Sequence, residues 1–147
     1  MIKKLEILFF RLLVLILILS NSSCSETNFD IVVVGGGTSG VASAIQSSRL
    51  GSKTLLIEES NWLGGMLTSA GVSAMDGNYK MPSGFLKEFR DSLVSYYGHL
   101  DSLKTGWVSN FMFEPSVGNR ILKDIANQEK NLTILFGSTV GEVVKNS

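Results

Sequence analysis

The apolar residues of this chain come in short runs punctuated by glycine, and their spacing changes from run to run. Phe29-Asp30-Ile31-Val32-Val33-Val34 is rich in β-branched residues and ends in glycine, the pattern of a buried parallel strand. Thr38 to Leu50 carries Val41, Ala42, Ala44 and Ile45, with neither proline nor glycine after Gly40. That predicts a helix packed closely on a sheet through small side chains, and Gly51 closes it. Lys53-Thr54-Leu55-Leu56-Ile57 predicts a second buried strand. Strand, helix and strand in about 30 residues make a crossover unit, which sets two parallel strands side by side.

Residues 60 to 84 are glycine-rich and without period, which predicts an extended irregular segment. A loop of that length in a compact domain is usually functional, so it reads as a ligand-covering loop. From Gly84 to Tyr97, the residues Phe85, Leu86, Phe89, Leu93 and Tyr96 or Tyr97 fall at helical spacing, with Lys87, Glu88, Arg90 and Asp91 opposite. An amphipathic helix is expected there. Residues 98 to 112 show no period. Val117, Ile121, Leu122 and Ile125 mark another helix, opened by Pro115-Ser116. Leu132 to Gly137 reads as a third strand and Val140 to Val144 as the start of a fourth.

The first residues follow a different plan. Lys3 and Lys4 precede an apolar stretch from Ile7 to Leu19 broken by Arg11, and then comes Ser20-Asn21-Ser22-Ser23. This is the layout of a secretion signal over residues 1–23, and the stretch is shorter than the roughly 20 residues of a spanning helix. Ser22-Ser23-Cys24-Ser25 is similar to the cleavage box of bacterial lipoproteins, although Asn21 stands where that box usually has an aliphatic residue. The expectation is an exported chain whose mature N-terminus, Cys24, carries lipid and rests on a membrane surface, with 24–28 as linker and 29–147 as the folded domain.

Composition narrows the possibilities. Thirteen basic and thirteen acidic side chains cancel in a chain of 147 residues. No block of like charge stands out, so the footprint of a nucleic-acid binder is missing. A single cysteine cannot form an internal disulfide or, unaided, a four-thiolate iron–sulfur cluster, and no ligand cluster for a metal is apparent.

The chemistry concentrates at Gly35-Gly36-Gly37-Thr38-Ser39-Gly40, a G-x-G-x-x-G sequence between a strand and a helix. The first glycine permits a tight turn, the second lets a pyrophosphate approach the backbone, and the third lets helix and strand pack closely. Phosphates would sit at the helix N-terminus, where unpaired N–H groups and the helix dipole favour negative charge. The second strand ends at Glu58, placed to accept hydrogen bonds from an adenosine ribose, with Glu59 as competitor. An acid there disfavours a 2′-phosphorylated ribose.

Three segments together carry a resemblance: Asp30 to Ala44, Leu56-Ile57-Glu58-Glu59, and Leu63-Gly64-Gly65-Met66-Leu67-Thr68-Ser69-Ala70-Gly71-Val72. They resemble the FAD-dependent oxidoreductases grouped with the heterodisulfide reductase-like flavoproteins, and Phe113-Glu114-Pro115 is similar to a later segment of the same family. The resemblance implies FAD as cofactor and redox chemistry at the flavin. It also implies that Gly64, Gly65 and Met66 run along the cofactor, the paired glycines letting backbone amides come close, with Thr68 and Ser69 as candidate donors to the flavin ring. Related proteins complete the flavin site with a later glycine and aspartate segment that has no match here, so the domain is expected to be the incomplete N-terminal part of an α/β, Rossmann-type, doubly wound parallel sheet. Its missing C-terminal part would be a partner in binding.

Two other readings stay open: an NAD-binding oxidoreductase, which the same fingerprint permits, and a non-catalytic lipoprotein retaining a Rossmann remnant. The substrate and the catalytic residues are not legible. His99, the single histidine, has no companion residues that would define a role. Tyr96, Tyr97, Trp107 and Phe111 read as packing residues, and Asn131-Leu132-Thr133 matches a glycosylation pattern at the mouth of a strand.

Overall fold

The computed structural model describes residues 28–75, 80–107 and 109–145. The expected signal and Cys24 lie outside the described residues. Three strands and three helices alternate in part: β1 (Ile31–Val34), α1 (Thr38–Arg49), β2 (Thr54–Glu58), α2 (Gly84–Tyr97), α3 (Pro115–Asn127) and β3 (Leu132–Phe136). Short 3₁₀ turns occupy Gly65–Leu67 and Leu100–Leu103.

The strands form one parallel sheet in the order β1-β2-β3, with Val33 opposite Leu56 and Leu56 opposite Ile134. That register puts Val33, Leu56 and Ile134 on one face, and the helices cover this face. Val41, Ala44 and Ile45 of α1 and Leu122, Ile125 and Ala126 of α3 are buried in the same core as Leu56. Helices α1 and α3 also touch each other. Ala44, between the buried Val41 and Ile45, lets α1 lie close to the sheet. At its far end Arg49 holds the bundle together, donating to Glu88 of α2 at 2.7 and 2.8 Å and to Glu129 beyond α3 at 2.7 Å.

Three expectations need correction. The β-branched run of β1 suggests a strand buried on both faces, yet Val32 and Val34 are exposed, Val34 at 61%. Side chains alternate across a strand, so only Ile31 and Val33 face the helices. Among the described residues nothing covers the other face, and the helices of a doubly wound sheet are present on one side. No fourth strand forms at Val140 to Val144. Gly137 turns with φ +64°, Ser138 donates its amide to the Glu58 carbonyl at 3.2 Å, and residues 139–145 have no regular structure. Trp107 does not pack, being 97% exposed, whereas Phe111 is fully buried. The Ser109 hydroxyl, which donates to the Met75 carbonyl at 2.8 Å, anchors the segment around Phe111.

Residues 60 to 75 are irregular as predicted, apart from the turn at Gly65–Leu67 and isolated bridges of Gly64 to Gly37 and of Ala74 to Met112. Tyr96 is half exposed beneath the Arg120 guanidinium, 4.5 Å from the ring centre. The Tyr97 hydroxyl accepts the Glu114 amide at 3.0 Å just ahead of α3. No helix among the described residues is long and apolar enough to cross a membrane.

Candidate nucleotide site

The carboxyl end of the sheet gathers the predicted site residues. Gly35 leaves β1 with φ +93°, a left-handed conformation that side chains other than glycine rarely adopt, and its amide still reaches the Ile57 carbonyl at 2.8 Å. The turn delivers Gly37 to the N-cap of α1, and no side chain caps the helix there. The first N–H groups of an α-helix have no partner inside it, so Thr38, Ser39 and Gly40 present donors at the positive end of the helix dipole.

Each glycine of the fingerprint meets a different environment. A Cβ on Gly40 would lie 1.9 Å from the Gly35 carbonyl oxygen, so the helix packs against the turn only because that atom is missing. A Cβ on Gly36 would come within 3.0 Å of the Glu58 carboxylate. A Cβ on Gly37 would meet nothing within 4 Å. The space in front of Gly37 is therefore left open by the protein, at the point where the helix offers its free donors.

Glu58, at the end of β2, closes on the glycine loop. One carboxylate oxygen accepts the Gly36 amide at 2.6 Å, and the other accepts both the amide and the hydroxyl of Ser60, at 2.9 and 2.6 Å. Partial burial pushes the Glu58 carboxyl up, but the Ser60 hydroxyl, the Ser60 amide and the Gly36 amide outweigh it and hold the group below the usual carboxylate range. Glu59 is exposed, and it is Glu58 that meets the glycine loop.

The second glycine segment lies against the first. Gly64 donates to the Gly36 carbonyl at 2.8 Å, its carbonyl accepts the Thr38 hydroxyl at 2.8 Å, and the backbones of Gly37 and Gly64 form a short parallel bridge. Gly64 has φ +106°, and a Cβ on it would lie 2.6 Å from Leu122 and 2.8 Å from Thr68. Its lack of a side chain thus serves packing within the protein. Thr68, read as a hydroxyl available to a ligand, is buried, and its hydroxyl donates to the Leu63 carbonyl at 2.5 Å. Ser69 is exposed and donates to the Gly65 carbonyl at 3.3 Å. Met66, exposed, borders an apolar pocket of about 580 Å³ together with Thr38, Ser39, Phe85, Phe89 and Leu122.

The sequence pattern that defines the family described as FAD dependent oxidoreductase matches residues 30–147. The chain belongs to that family, whose cofactor is FAD. Curated relatives of the flavoprotein match shorter parts. The carotenoid phi-ring synthase of Chlorobaculum tepidum is 30% identical over 91 residues, 62% of this chain and 13% of that protein. The NADH:fumarate oxidoreductase of Klebsiella pneumoniae is 33% identical over 91 residues, 60% of this chain and 9% of that one. A mitochondrial dihydrolipoyl dehydrogenase of Arabidopsis thaliana is 46% identical over 50 residues, 34% of this chain and 10% of its own length. The flavoprotein chain thus spans about a tenth of the length of the relatives it matches. The further likeness to heterodisulfide reductase-like proteins finds no support among these relatives.

FAD suits the residues that are here. The open space at Gly37 and the uncapped start of α1 match a pyrophosphate, and a carboxylate held at the end of β2 matches a ribose. Two participants in this part of the flavoprotein escape a reading of the sequence. Ser60 supplies two of the three hydrogen bonds to Glu58, and a serine after two glutamates carries no signal. Asn119 of α3 accepts the Leu63 amide at 2.9 Å, across 56 residues of sequence. Its one sequence signal is that Gly118-Asn119 puts two weak helix formers side by side inside a helix. His99 takes no part: its Nδ1 accepts the Asp101 amide at 3.1 Å on an exposed turn.

Proposed function

We propose that this chain holds the ADP half of FAD and forms part of an oxidoreductase whose redox step takes place at the flavin. The observation that carries the reading is the junction of Gly37, open in front, with an uncapped helix start and the Glu58 carboxylate tied to the neighbouring Gly36. The amides of Thr38, Ser39 and Gly40 bind the pyrophosphate, and Gly35 and Gly37 keep side chains out of its way. An ionised carboxylate has about four acceptor positions, and the protein uses three on Glu58, so one remains for a ribose hydroxyl. Gly65 and Met66 border the path beyond the phosphates. When bound, FAD supplies hydride or electron transfer at its isoalloxazine ring, and the protein supplies position and electrostatics.

NAD is the competing ligand, since the same fold and fingerprint serve both. Match to the family over residues 30–147 favours FAD. Purifying the full chain, with FAD present during refolding, and measuring flavin absorbance and FAD released on denaturation tests the reading directly. Saturable binding of FAD in preference to NAD is expected; stoichiometric NAD without flavin, or no nucleotide at all, would overturn it.

We also propose export with lipid on Cys24, on the strength of the charged start, the apolar stretch and the small residues before Cys24. Mass spectrometry of the mature N-terminus from the native host checks it, and an intact Met1 or an unmodified Cys24 would refute lipidation.

A further inference from the structure

The loop that lines one side of the nucleotide site is held from behind by α3. Asn119 and Lys123 are four residues apart and so lie on one face of that helix. The Asn119 side-chain oxygen accepts the Leu63 amide at 2.9 Å, and the Lys123 ammonium donates to the Asn61 carbonyl at 2.6 Å. Between them in sequence, Leu122 fills the space that a side chain on Gly64 would take. Segment 61–65 is thus pinned at two backbone groups and supported at a third point.

What the segment does next gives these contacts their meaning. Immediately after Leu63, Gly64 bonds the glycine loop through both of its backbone groups, to the Gly36 carbonyl and from the Thr38 hydroxyl. Gly36 in turn donates to Glu58. One connected set of hydrogen bonds therefore runs from α3 through Leu63 and Gly64 to the two loops that would touch the ribose and the pyrophosphate. Of its members, Asn119 is the side chain on an element that the glycine fingerprint does not include. Lys123 also sits over the Phe136 ring at 4.9 Å, so its role is divided.

We propose that Asn119 is a positioning residue for the nucleotide site: by accepting the Leu63 amide it fixes segment 61–65 where Gly64 can bond both Gly36 and Thr38, and so sets the width of the cradle. It touches no reacting atom. The proposal rests on the FAD reading for its effect on affinity, but its geometric half stands on the cofactor-free protein.

Asn119→Leu keeps the size of the side chain and removes the acceptor; Asn119→Asp keeps an acceptor at the same place. Both are made in the full chain, with Asn119→Ala as a second acceptor-free variant in case leucine impairs folding. Amide hydrogen exchange is followed at Gly64 and at Leu55 and Leu56 in the central strand, without cofactor, and FAD affinity is measured by fluorescence titration. The expected result is exchange at Gly64 at least tenfold faster in the acceptor-free variants, with the β2 amides unchanged, and FAD affinity at least tenfold weaker. Asn119→Asp should return both within about threefold of the parent. The proposal is overturned if Gly64 exchanges as in the parent, if β2 loosens equally, which would mark a general loss of stability, or if aspartate behaves like leucine. A parent chain that takes up no FAD would sink the functional reading alone, and the exchange rates would still decide the role of Asn119.

Discussion

Two glycine-bearing segments meet at the carboxyl end of this sheet, and they use the missing side chain for different ends. In residues 35–40 the protein leaves space empty in front of Gly37, while Gly40 permits backbone to meet backbone. In residues 64–65 the space is filled: Leu122 and Thr68 occupy the position of a Gly64 side chain, and Gly37 itself lies 3.1 Å from that of Gly65. The first segment is shaped for a ligand and the second is shaped to hold the first. A glycine pair beside a binding loop is therefore not evidence of ligand contact until its surroundings are known.

The largest effect is expected where backbone is the obstacle. Gly40→Ala drives a methyl group into the Gly35 carbonyl oxygen, and neither the turn nor the helix can move without separating β1 from α1. A loss of about 3 kcal/mol or more is expected, at the upper end for overpacking, visible as a lowered midpoint in urea unfolding. Gly64→Ala is the milder case, because the atoms it meets belong to the side chains of Leu122 and Thr68, which can shift, although the φ of +106° remains unfavourable for alanine. About 2 kcal/mol is expected from strain and crowding together. If Gly64→Ala proves the more damaging of the two, the division between backbone and side-chain obstacles is wrong.

Much of this was legible beforehand, and the failures have a common cause. The runs at 31–34, 54–58 and 132–136 and the helices at 38–49, 84–97 and 115–127 lie within a residue or two of their sequence periods, because each is fixed by its own local pattern. The site geometry at Gly35, Gly37 and Gly40 follows from the strand and helix that flank them. Misread residues are those whose role depends on a distant neighbour. Thr68 looks like a loop hydroxyl available to a ligand, but it is buried against Leu63 under α3. Val140 to Val144 has the residues of a strand but no strand beside it among those described. Trp107 has the size for a core and no core next to it. Asn119 acts across 56 residues, a distance no local pattern encodes.

A smaller effect, and one that depends on pH, should come from the bond that joins the acid to the first loop. The folded protein holds the Glu58 carboxyl below its ordinary value of about 4.5, so folding favours the ionised form. Its contribution is fully present above the unfolded value and is lost as pH falls through the lower folded value. Glu58→Gln should therefore be less stable than the parent at pH 7, with the gap closing as pH falls below about 4.5. Urea midpoints of both proteins between pH 7 and pH 3 would show it. A gap that stays constant over that range would mean that the Gly36 and Ser60 contacts do not depend on charge.

The smallest expected change in stability belongs to the residue on which the functional reading leans most. Gly37 has φ −63° as the N-cap of α1, a value open to any amino acid, and a Cβ there meets nothing within 4 Å. Gly37→Ala should cost no more than about 1 kcal/mol in the urea midpoint, the modest preference of an N-cap for glycine over alanine. Nothing in the protein's own packing asks for glycine at this position, so any need for it must come from what binds in front of it. A methyl group there would stand between the free amides of α1 and the pyrophosphate, and FAD affinity should fall at least tenfold while the fold persists. Larger side chains should deepen the loss, Gly37→Val more than Gly37→Ala, without a matching loss of stability. Titration of all three proteins with FAD, beside their unfolding curves, separates the two quantities. Unchanged FAD affinity in Gly37→Val would show that the open space is not the phosphate site, and the contrast between the ligand-shaped segment and its support would lose its foundation.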